Sequence, residues 1–180
     1  MKNILFIHQS AELYGSDKTL LVFLSRLNRQ EFFPLVVLPF EGPLKTELEK
    51  LNIQVEIMPV LKVYRKMFTP ANLLAFFTSY RKSVKALDVL NAEYKFDLVY
   101  SNTLAVLLGM VYAKKRKIRH VWHVHEIITT PKPVADFFAK ALKRNADVVL
   151  CNSYATQDNL TIRVNGLEPK CVVVHNGCLL

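Results

Sequence analysis

The sequence predicts an α/β fold, a Rossmann-like, doubly wound parallel sheet of about seven strands, on the strength of two observations. Short runs rich in Val, Ile and Leu alternate with helical patterns along all 180 residues. These runs are apolar almost without interruption, which is typical of strands covered on both faces. Such alternation builds βαβ units with right-handed crossovers. Since no linker, low-complexity segment or charge block divides the chain, residues 1–180 are predicted to form one domain.

The predicted strands share this aliphatic composition, and two of them end alike. They are Asn3–His8, Pro34–Pro39, Gln54–Met58, Asp97–Ser101, His120–Val124, Asp147–Cys151 and Lys170–His175. The segments "DLVYSN" and "DVVLCNS" place Asn102 and Asn152 at the carboxyl ends of strands, the edge where open α/β sheets bind ligands. An Asn there also starts a turn or caps a helix, which is the preferred interpretation for either Asn alone.

Each predicted helix carries an apolar stripe at helical spacing. The helices run from a cap at Ser16 or Asp17 to Asn28, from Gly42-Pro43 past Leu48, from Pro70 to Glu93, from Leu104 to Lys115, from Pro133 to Arg144 and from Tyr154 to Val164. In the longest, the stripe consists of Leu73, Phe77, Tyr80, Val84 and Leu87. This helix and its lead-in, "KVYRKMFTPANLLAFFTSYRKSVK", mix aromatic and cationic residues, as a surface for an anionic membrane would. A helix packed on the sheet with a solvated basic face explains them as well, and is preferred.

The formal net charge is +9, which favours anionic partners: phosphorylated metabolites, nucleic acid or an anionic membrane surface. A basic surface also occurs without any specific partner. Three cysteines, none in a C-x-x-C pair, predict reduced thiols in a cytosolic protein: Cys151, Cys171 and Cys178. With no apolar segment long enough for a signal peptide or a membrane span, the sequence predicts a soluble protein.

The segment "HQSAELYGSDKT" follows the first predicted strand and ends in Lys18-Thr19, as a P-loop does. Asp17 stands where a P-loop has its glycine, and no G-x-G-x-x-G is present, so both nucleotide fingerprints fail. What remains is Gly15 in a strand–helix turn, with Ser16 and Lys18 at the start of the helix. The free N–H groups and positive dipole end there suit a phosphate. A plain turn with a capping Ser or Asp explains the loop equally well.

The segment "HVWHVHEI" holds three histidines and a carboxylate. Strand alternation places His123 and His125 on one face, but no third ligand is evident, and a metal site is disfavoured. The preferred interpretation makes His120 and His123 hydrogen-bonded residues of the sheet. His125 and Glu126 would then mark the end of the strand, where a histidine can exchange protons near neutral pH.

Three further patterns carry less chemistry. Glu41 and Glu49 show an E-x7-E spacing, but they flank a short surface helix, and the spacing is interpreted as coincidence. No G-x-S-x-G elbow is present, and Cys151 lies in an apolar strand without a base beside it. "VVVHNG" ends the last strand in a tight turn at Asn176-Gly177.

Four of these segments, in this order, resemble the N-terminal half of a GT-B-fold retaining glycosyltransferase of family 4 (glycosyl transferases group 1). The family's Gly-Gly-Ala-Glu-[Arg/Lys] loop is matched by "YGSDK", which keeps a glycine, the acid and the base but departs at Tyr14 and Ser16. His125-Glu126 is similar to its His-[Asp/Glu] pair. "ADVVLCNSYATQDNL" resembles its strand–Ser–helix segment, with Ser153 as the serine, and "VVVHNG" resembles the Asn-Gly that closes the N-terminal domain.

The resemblance implies that residues 1–180 form the acceptor-side domain, inactive alone, of an enzyme whose nucleotide-sugar-binding domain lies outside this chain. The full enzyme would work in polysaccharide biosynthesis, with a nucleotide-sugar as co-substrate and with no metal or other cofactor. It would transfer the sugar to a hydroxyl of a glycan, a lipid-linked or a small-molecule acceptor. The implied roles are Gly15, Ser16 and Lys18 facing the donor diphosphate, His125 by the donor sugar, and Tyr14, Asn102, Glu126, Ser153 and Asn176 lining the cleft.

Two alternatives stay open. The charge suits a stand-alone Rossmann-like module that binds an anion or nucleic acid, although no RNP or helix-turn-helix signature is present and nucleic acid is not expected. A nucleotide-sugar 2-epimerase also pairs two such domains, and the chain could be half of one. The expected location is the cytoplasm, with peripheral contact at the inner face of an anionic membrane as an extension of that expectation.

Overall fold

The computed structural model describes residues 1–60 and 70–176. Its strands are β1 (Lys2–His8), β2 (Phe32–Leu38), β3 (Gln54–Ile57), β4 (Leu98–Asn102), β5 (Arg119–Val124), β6 (Val148–Cys151) and β7 (Cys171–Val173). All pair in parallel in one sheet of order β3-β2-β1-β4-β5-β6-β7. The predicted Rossmann-like fold with its seven-stranded parallel sheet is therefore confirmed.

The order of strands reverses between β1 and β4, and this determines where a site can lie. From β1 the chain winds outward through β2 to β3, then returns to place β4 on the other side of β1. Carboxyl ends of strands at such a switch point open a crevice in doubly wound sheets. The last residues of the two strands, His8 and Asn102, lie opposite each other in the register.

The described residues form six α-helices that cover the sheet: α1 (Gly15–Ser25), α2 (Pro43–Lys50), α3 (Pro70–Tyr94), α4 (Leu107–Arg116), α5 (Lys132–Asn145) and α6 (Tyr154–Thr161), with a 3₁₀ turn at Glu168–Lys170. One core joins α1 and α2 to a face of the sheet through Leu20, Leu24, Leu44 and Leu48. The other core lies on the opposite face, where α3 to α6 contribute Leu87, Leu108, Leu142 and Leu160. Alternate side chains of the same strands therefore pack into the two cores on opposite faces of the sheet.

Three helices begin or end three residues away from their prediction: α4 starts later, and α1 and α6 end earlier, α6 at Thr161 rather than at the predicted Val164. α4 starts at Leu107 rather than Leu104, since the N–H of Thr103 bonds to the His123 carbonyl and that of Leu104 to Glu126. Thr103 also has a φ of 87°, which no helix accommodates. α1 ends at Ser25 rather than at the predicted Asn28, and the amides of the next two residues bond three positions back in a tighter turn.

The similarity between "DLVYSN" and "DVVLCNS" has a structural basis. Asp97 accepts the N–H of Asn3 at 2.8 Å, and Asp147 accepts the N–H of His120 at 2.7 Å. Each aspartate therefore ties the start of its own strand to the start of the neighbouring one. The Asn ends differ: Asn152 accepts a bond from Thr156 in α6, whereas Asn102 caps no helix.

Several smaller expectations are also resolved. Glu41 and Glu49 both pair with Lys45, at 2.8 and 3.5 Å, so their spacing serves a surface helix. In α3, Val84 and Leu87 are buried; the side chains of Leu73 and Phe77, the lead-in 62–69, Gly177 and Cys178 lie outside the described residues. Cys151 and Cys171 are free thiols. Within the described residues, no helix is long and apolar enough to cross a membrane.

Candidate functional site

Four side chains form a continuous polar chain at the switch point between β1 and β4. The Nε2 of His125 lies 2.9 Å from Oδ1 of Asn102, and Nδ2 of Asn102 lies 3.0 Å from Nδ1 of His8. The Nε2 of His8 in turn lies 2.5 Å from Oδ1 of Asp17. An amide oxygen only accepts and an amide nitrogen only donates, and Nδ1 of His8 lies nearer to the Asn102 amide nitrogen than to the Asn102 backbone carbonyl oxygen, which is 3.3 Å away. His125 donates to Asn102, Asn102 donates to His8, and His8 donates to Asp17.

Asp17 anchors this chain and folds the loop that precedes α1. Besides His8, its carboxylate accepts the N–H of Tyr14 at 3.1 Å and the hydroxyl of Ser10 at 3.3 Å. Burial is the largest influence on its pKa and opposes ionisation, but the hydrogen bond from His8 and those from the loop outweigh it and lower the pKa. The residue that breaks the P-loop pattern is therefore the one that closes the loop, and it lies at the third position of the helix instead of capping it.

The start of α1 has backbone N–H groups without described acceptors. Gly15 has a φ of 38°, a left-handed conformation that a glycine adopts without steric cost, and a Cβ there would contact no described atom. No described group accepts the N–H of Gly15 or of Ser16. The Ser16 carbonyl accepts a bond from Asn102, which fixes the helix start against β4. Lys18 is exposed one position beyond Asp17.

His125 is half-buried just beyond β5, and it is neutral at physiological pH. Burial is the largest influence on its pKa and lowers it to about 4. Because Nε2 carries the proton donated to Asn102, Nδ1 is the unprotonated nitrogen, and no described residue donates to it. His125 thus offers a hydrogen-bond acceptor at the sheet edge.

His123 lies on the same face, with its ring centroid 4.0 Å from that of His125. Its Nδ1 is 2.7 Å from the hydroxyl of Tyr100, and burial raises the pKa of that phenol, which therefore donates. The Nε2 of His123 is buried without a partner among the described residues. Asn102, Asn176 and Phe23 line, with His123 and Tyr100, a cavity of about 360 Å³ on the α1 side of the sheet.

Glu126 braces the loop that follows β4. One carboxylate oxygen, Oε2, accepts the N–H of Leu104 and the N–H of His125, each at 3.1 Å. Burial raises its pKa, although these backbone bonds act in the opposite direction. In this structure Glu126 therefore fixes the backbone at Leu104 and His125.

Ser153 and its neighbour connect α6 to the same edge. The Ser153 hydroxyl accepts the N–H of Thr156 at 3.2 Å, as a helix cap does. Asn152 donates to the carbonyl of His125 at 3.2 Å. Asn152, the residue after β6, therefore also supports the position of His125.

The structure brings some of the predicted site residues together and leaves others apart. Asn102 bonds directly to His125 and to the Ser16 backbone; it is 1% exposed with both amide atoms engaged, and it borders the cavity of about 360 Å³. Its predicted cleft role stays a prediction. Tyr14, 76% exposed, makes its polar contact through its backbone. The predicted cleft roles of the other residues stay predictions: Gly15, Ser16, Lys18, His125, Glu126, Ser153 and Asn176.

Two members of the polar chain, His8 and Asp17, are absent from the predicted site. His8 shows the same signal as Asn102, a polar residue closing an apolar strand. His120 and His123 are hydrogen-bonded sheet residues, as predicted. Among the described residues, no group of three His, Cys, Asp or Glu side chains is placed to hold a metal ion.

Comparison with known proteins identifies a family and similar solved structures. The chain matches the sequence model of Glycosyltransferase Family 4 over residues 15–178, whereas no curated protein sequence shows significant similarity. Alr3699/HepE from Anabaena, solved in complex with UDP and glucose, superimposes with a TM-score of 0.76 at 25% identity, covering 99% of this chain and 45% of that one.

Two more distant structures share the fold alone. A glycosyltransferase from Rickettsia africae has a TM-score of 0.68 at 17% identity, over 97% of this chain and 42% of that one. UDP-GlcNAc 2-epimerase from Neisseria meningitidis, bound to UDP-GlcNAc, has a TM-score of 0.63 at 12% identity, with coverages of 97% and 47%. The chain thus spans less than half the length of these structures, and its sheet corresponds to one half of a GT-B fold.

Proposed function

Because the chain belongs to Glycosyltransferase Family 4, we propose that it forms the N-terminal, acceptor-side half of an enzyme that transfers a sugar from a nucleotide-sugar to a hydroxyl, with retention of configuration. The observation that carries the proposal is the polar chain from His125 to Asp17 at the strand switch point, beside an open helix start. Anabaena Alr3699/HepE, whose solved complexes contain UDP-glucose or UDP, supports a UDP-sugar as the donor.

The start of α1 suits the donor diphosphate in this proposal. The N–H groups of Gly15 and Ser16 are without described acceptors, and the helix dipole adds partial positive charge at the same place. Lys18 adds a full charge on an exposed side chain. Charge grows on the diphosphate as the glycosidic bond breaks, and donors already in position would stabilise it without reorganisation.

His125 acts in this proposal as a neutral hydrogen-bond acceptor. Its Nδ1 would accept a hydroxyl of the donor sugar and hold the sugar at the reacting position. His8, Asn102 and Asp17 are positioning residues: they keep the proton on Nε2, so that Nδ1 stays available. A cationic imidazole would repel the oxocarbenium-like charge that develops on the sugar. The lowered pKa of His125, which burial causes, therefore suits this role.

The test compares the chain alone with the full reading frame that encodes it, using UDP-glucose as donor and following release of UDP in the presence of a panel of hydroxyl acceptors. The proposal expects turnover by the longer protein and none by residues 1–180 alone. Anomeric proton coupling constants in the product report retention. Turnover by the 180-residue chain would contradict the division of labour between two halves, and an inverted product would contradict retention.

A half of a nucleotide-sugar 2-epimerase is the second candidate. Two UDP-N-acetylglucosamine 2-epimerase structures share the fold, with 12% and 16% identity, but the family match favours transfer. Incubation of the full reading frame with UDP-GlcNAc separates the two, because an epimerase yields an isomeric nucleotide-sugar without any acceptor. The proposed enzyme works in the cytoplasm, in polysaccharide biosynthesis, and acts at the inner face of the membrane when its acceptor is lipid-linked.

A further inference from the structure

A groove between α4 and α5 lies on the face of the sheet opposite α1. It encloses about 520 Å³ and is lined by both apolar and cationic side chains. Tyr80, Met110 and Phe137 supply apolar surface, and Phe137 is 49% exposed although it is a large hydrophobic residue. An aromatic side chain that is half in water, inside a groove, is typical of a surface that meets another apolar phase.

Four cations surround this apolar surface: Lys114 and Lys115 from α4, and Lys140 and Arg144 from α5. Among the described residues that line the groove there is no Asp or Glu. Among the described residues none of the four is in an ion pair, whereas the nearby Asp88 and Asp136 pair with Arg116 and Arg163. No carboxylate among the described residues forms an ion pair with any of the four, although the charge of Lys115 also acts on Asp88, whose partner is Arg116.

The cationic surface continues towards the amino ends of the strands. A second hollow shares Lys114 and Arg144 with the groove and adds Lys117 and Arg119. Asp147 also lines it, but one of its carboxylate oxygens accepts the N–H of His120. This surface thus holds a large share of the cations behind the net charge of +9.

We infer that this groove docks the protein on an anionic phospholipid bilayer, with Phe137 in the headgroup region and the four cations against lipid phosphates. The positive charge alone would attract any polyanion, but a nucleic acid backbone has no apolar surface to cover the Met, Phe and Tyr side chains of the groove. A bilayer matches both parts, because cations bind its phosphates while apolar side chains enter the acyl boundary.

The location of the groove is compatible with a working site. α4 and α5 start near the carboxyl edge of the sheet and run back, so their C-terminal halves, which carry all four cations, lie away from His125. Docking here would leave the cleft open. The inference does not rest on glycosyl transfer, since vesicle binding is measured without any nucleotide-sugar, and either result can hold without the other.

The experiment measures sedimentation of the protein with vesicles of phosphatidylcholine alone or mixed with phosphatidylglycerol. The wild type is expected to bind only the anionic vesicles. The variant Lys114→Gln/Lys115→Gln/Lys140→Gln should lose on the order of 100-fold in partition coefficient, at roughly five-fold per cation. The matched control, Lys2→Gln/Arg29→Gln/Lys50→Gln, removes the same net charge from exposed residues elsewhere and should lose far less.

A second readout reports insertion. Trp122, the single tryptophan, is fully buried, so Phe137→Trp adds a reporter against a constant background. Its emission should shift to the blue with anionic vesicles and not with phosphatidylcholine. Equal losses in the two triple variants, or no blue shift, would overturn the inference. So would binding of a short RNA duplex as tight as vesicle binding, together with vesicle binding that Phe137→Ser leaves unchanged.

Discussion

Two histidines on or next to β5 have similar pKa values but different surroundings. His120 is 1% exposed, whereas His125 is half-buried at the other end, and burial lowers the pKa of both to about 4. Both bond through Nε2 to a side chain of β4 at 2.9 Å, His120 to Ser101 and His125 to Asn102. A lowered pKa therefore does not by itself identify a functional histidine.

The free nitrogen distinguishes the two. His120 Nδ1 lies 3.1 Å from the carbonyl of Asn145 and donates to it, so Nε2 accepts from Ser101 and the ring is fully used. His125 has the opposite tautomer, with Nε2 donating and Nδ1 without a described partner. Both ring nitrogens of His120 are hydrogen-bonded, which stabilises the sheet. In His125 only Nε2 is hydrogen-bonded within the described residues, so Nδ1 can accept a hydrogen bond.

The largest expected effect is one that the two histidines share. Because the folded-state pKa values lie below 6.5, the unfolded chain binds protons first, and stability falls as the pH decreases from about 6.5 towards 4. Each histidine should contribute on the order of 3 kcal/mol to the fall. Denaturant unfolding of the wild type, His120→Gln and His125→Gln at pH 7 and pH 4 measures it. If either variant keeps the full wild-type pH dependence, that histidine is not buried as neutral imidazole.

The next prediction separates them through activity. In the full reading frame, His125→Ala should lower sugar transfer about 100-fold, as loss of a positioned polar contact does. Its unfolding free energy should fall by only about 1 kcal/mol, because Oδ1 of Asn102 loses its donor. His120→Ala should lower the unfolding free energy by about 3 kcal/mol, since it leaves a cavity and unpaired groups, and should spare kcat in the folded fraction. If His120→Ala instead lowers kcat and His125→Ala mainly lowers the unfolding free energy, the proposed functional role of His125 is wrong.

Two glycines offer a smaller test of the same contrast. A Cβ at Gly109 would lie 2.0 Å from Oγ of Ser101, the partner of His120, whereas a Cβ at Gly15 would contact nothing described. Gly109→Ala should therefore cost about 2 kcal/mol, through displacement of Ser101. Gly15→Ala should cost about 1 kcal/mol, from its positive φ alone. Thermal unfolding compares them, and a larger loss at Gly15 would contradict the close packing behind His120.

The sequence predicted the sheet far better than the site. Continuous aliphatic runs and Asn102 at a strand end are local patterns, and they led to the fold and to the sheet edge where the polar chain lies. The bond between Asn102 and His8 joins residues 94 positions apart, and its direction depends on which atoms the fold brings together. The sequence presents Asp17 as a departure from a P-loop, a candidate helix cap and the acid of the family's loop. Its actual partners, His8 and the Tyr14 backbone, depend on the tertiary closure of the loop.

The central claim is that burial keeps His125 neutral and that the polar chain places its proton on Nε2, with Nδ1 open at the switch point. Long-range ¹H–¹⁵N NMR of the histidines across pH tests this most directly. The account predicts an Nε2–H tautomer with a titration midpoint near 4 for His125, the Nδ1–H tautomer for His120, and loss of the His125 tautomer preference in Asn102→Ala. A His125 midpoint near 6.5, or an Nδ1–H tautomer in the wild type, would contradict it.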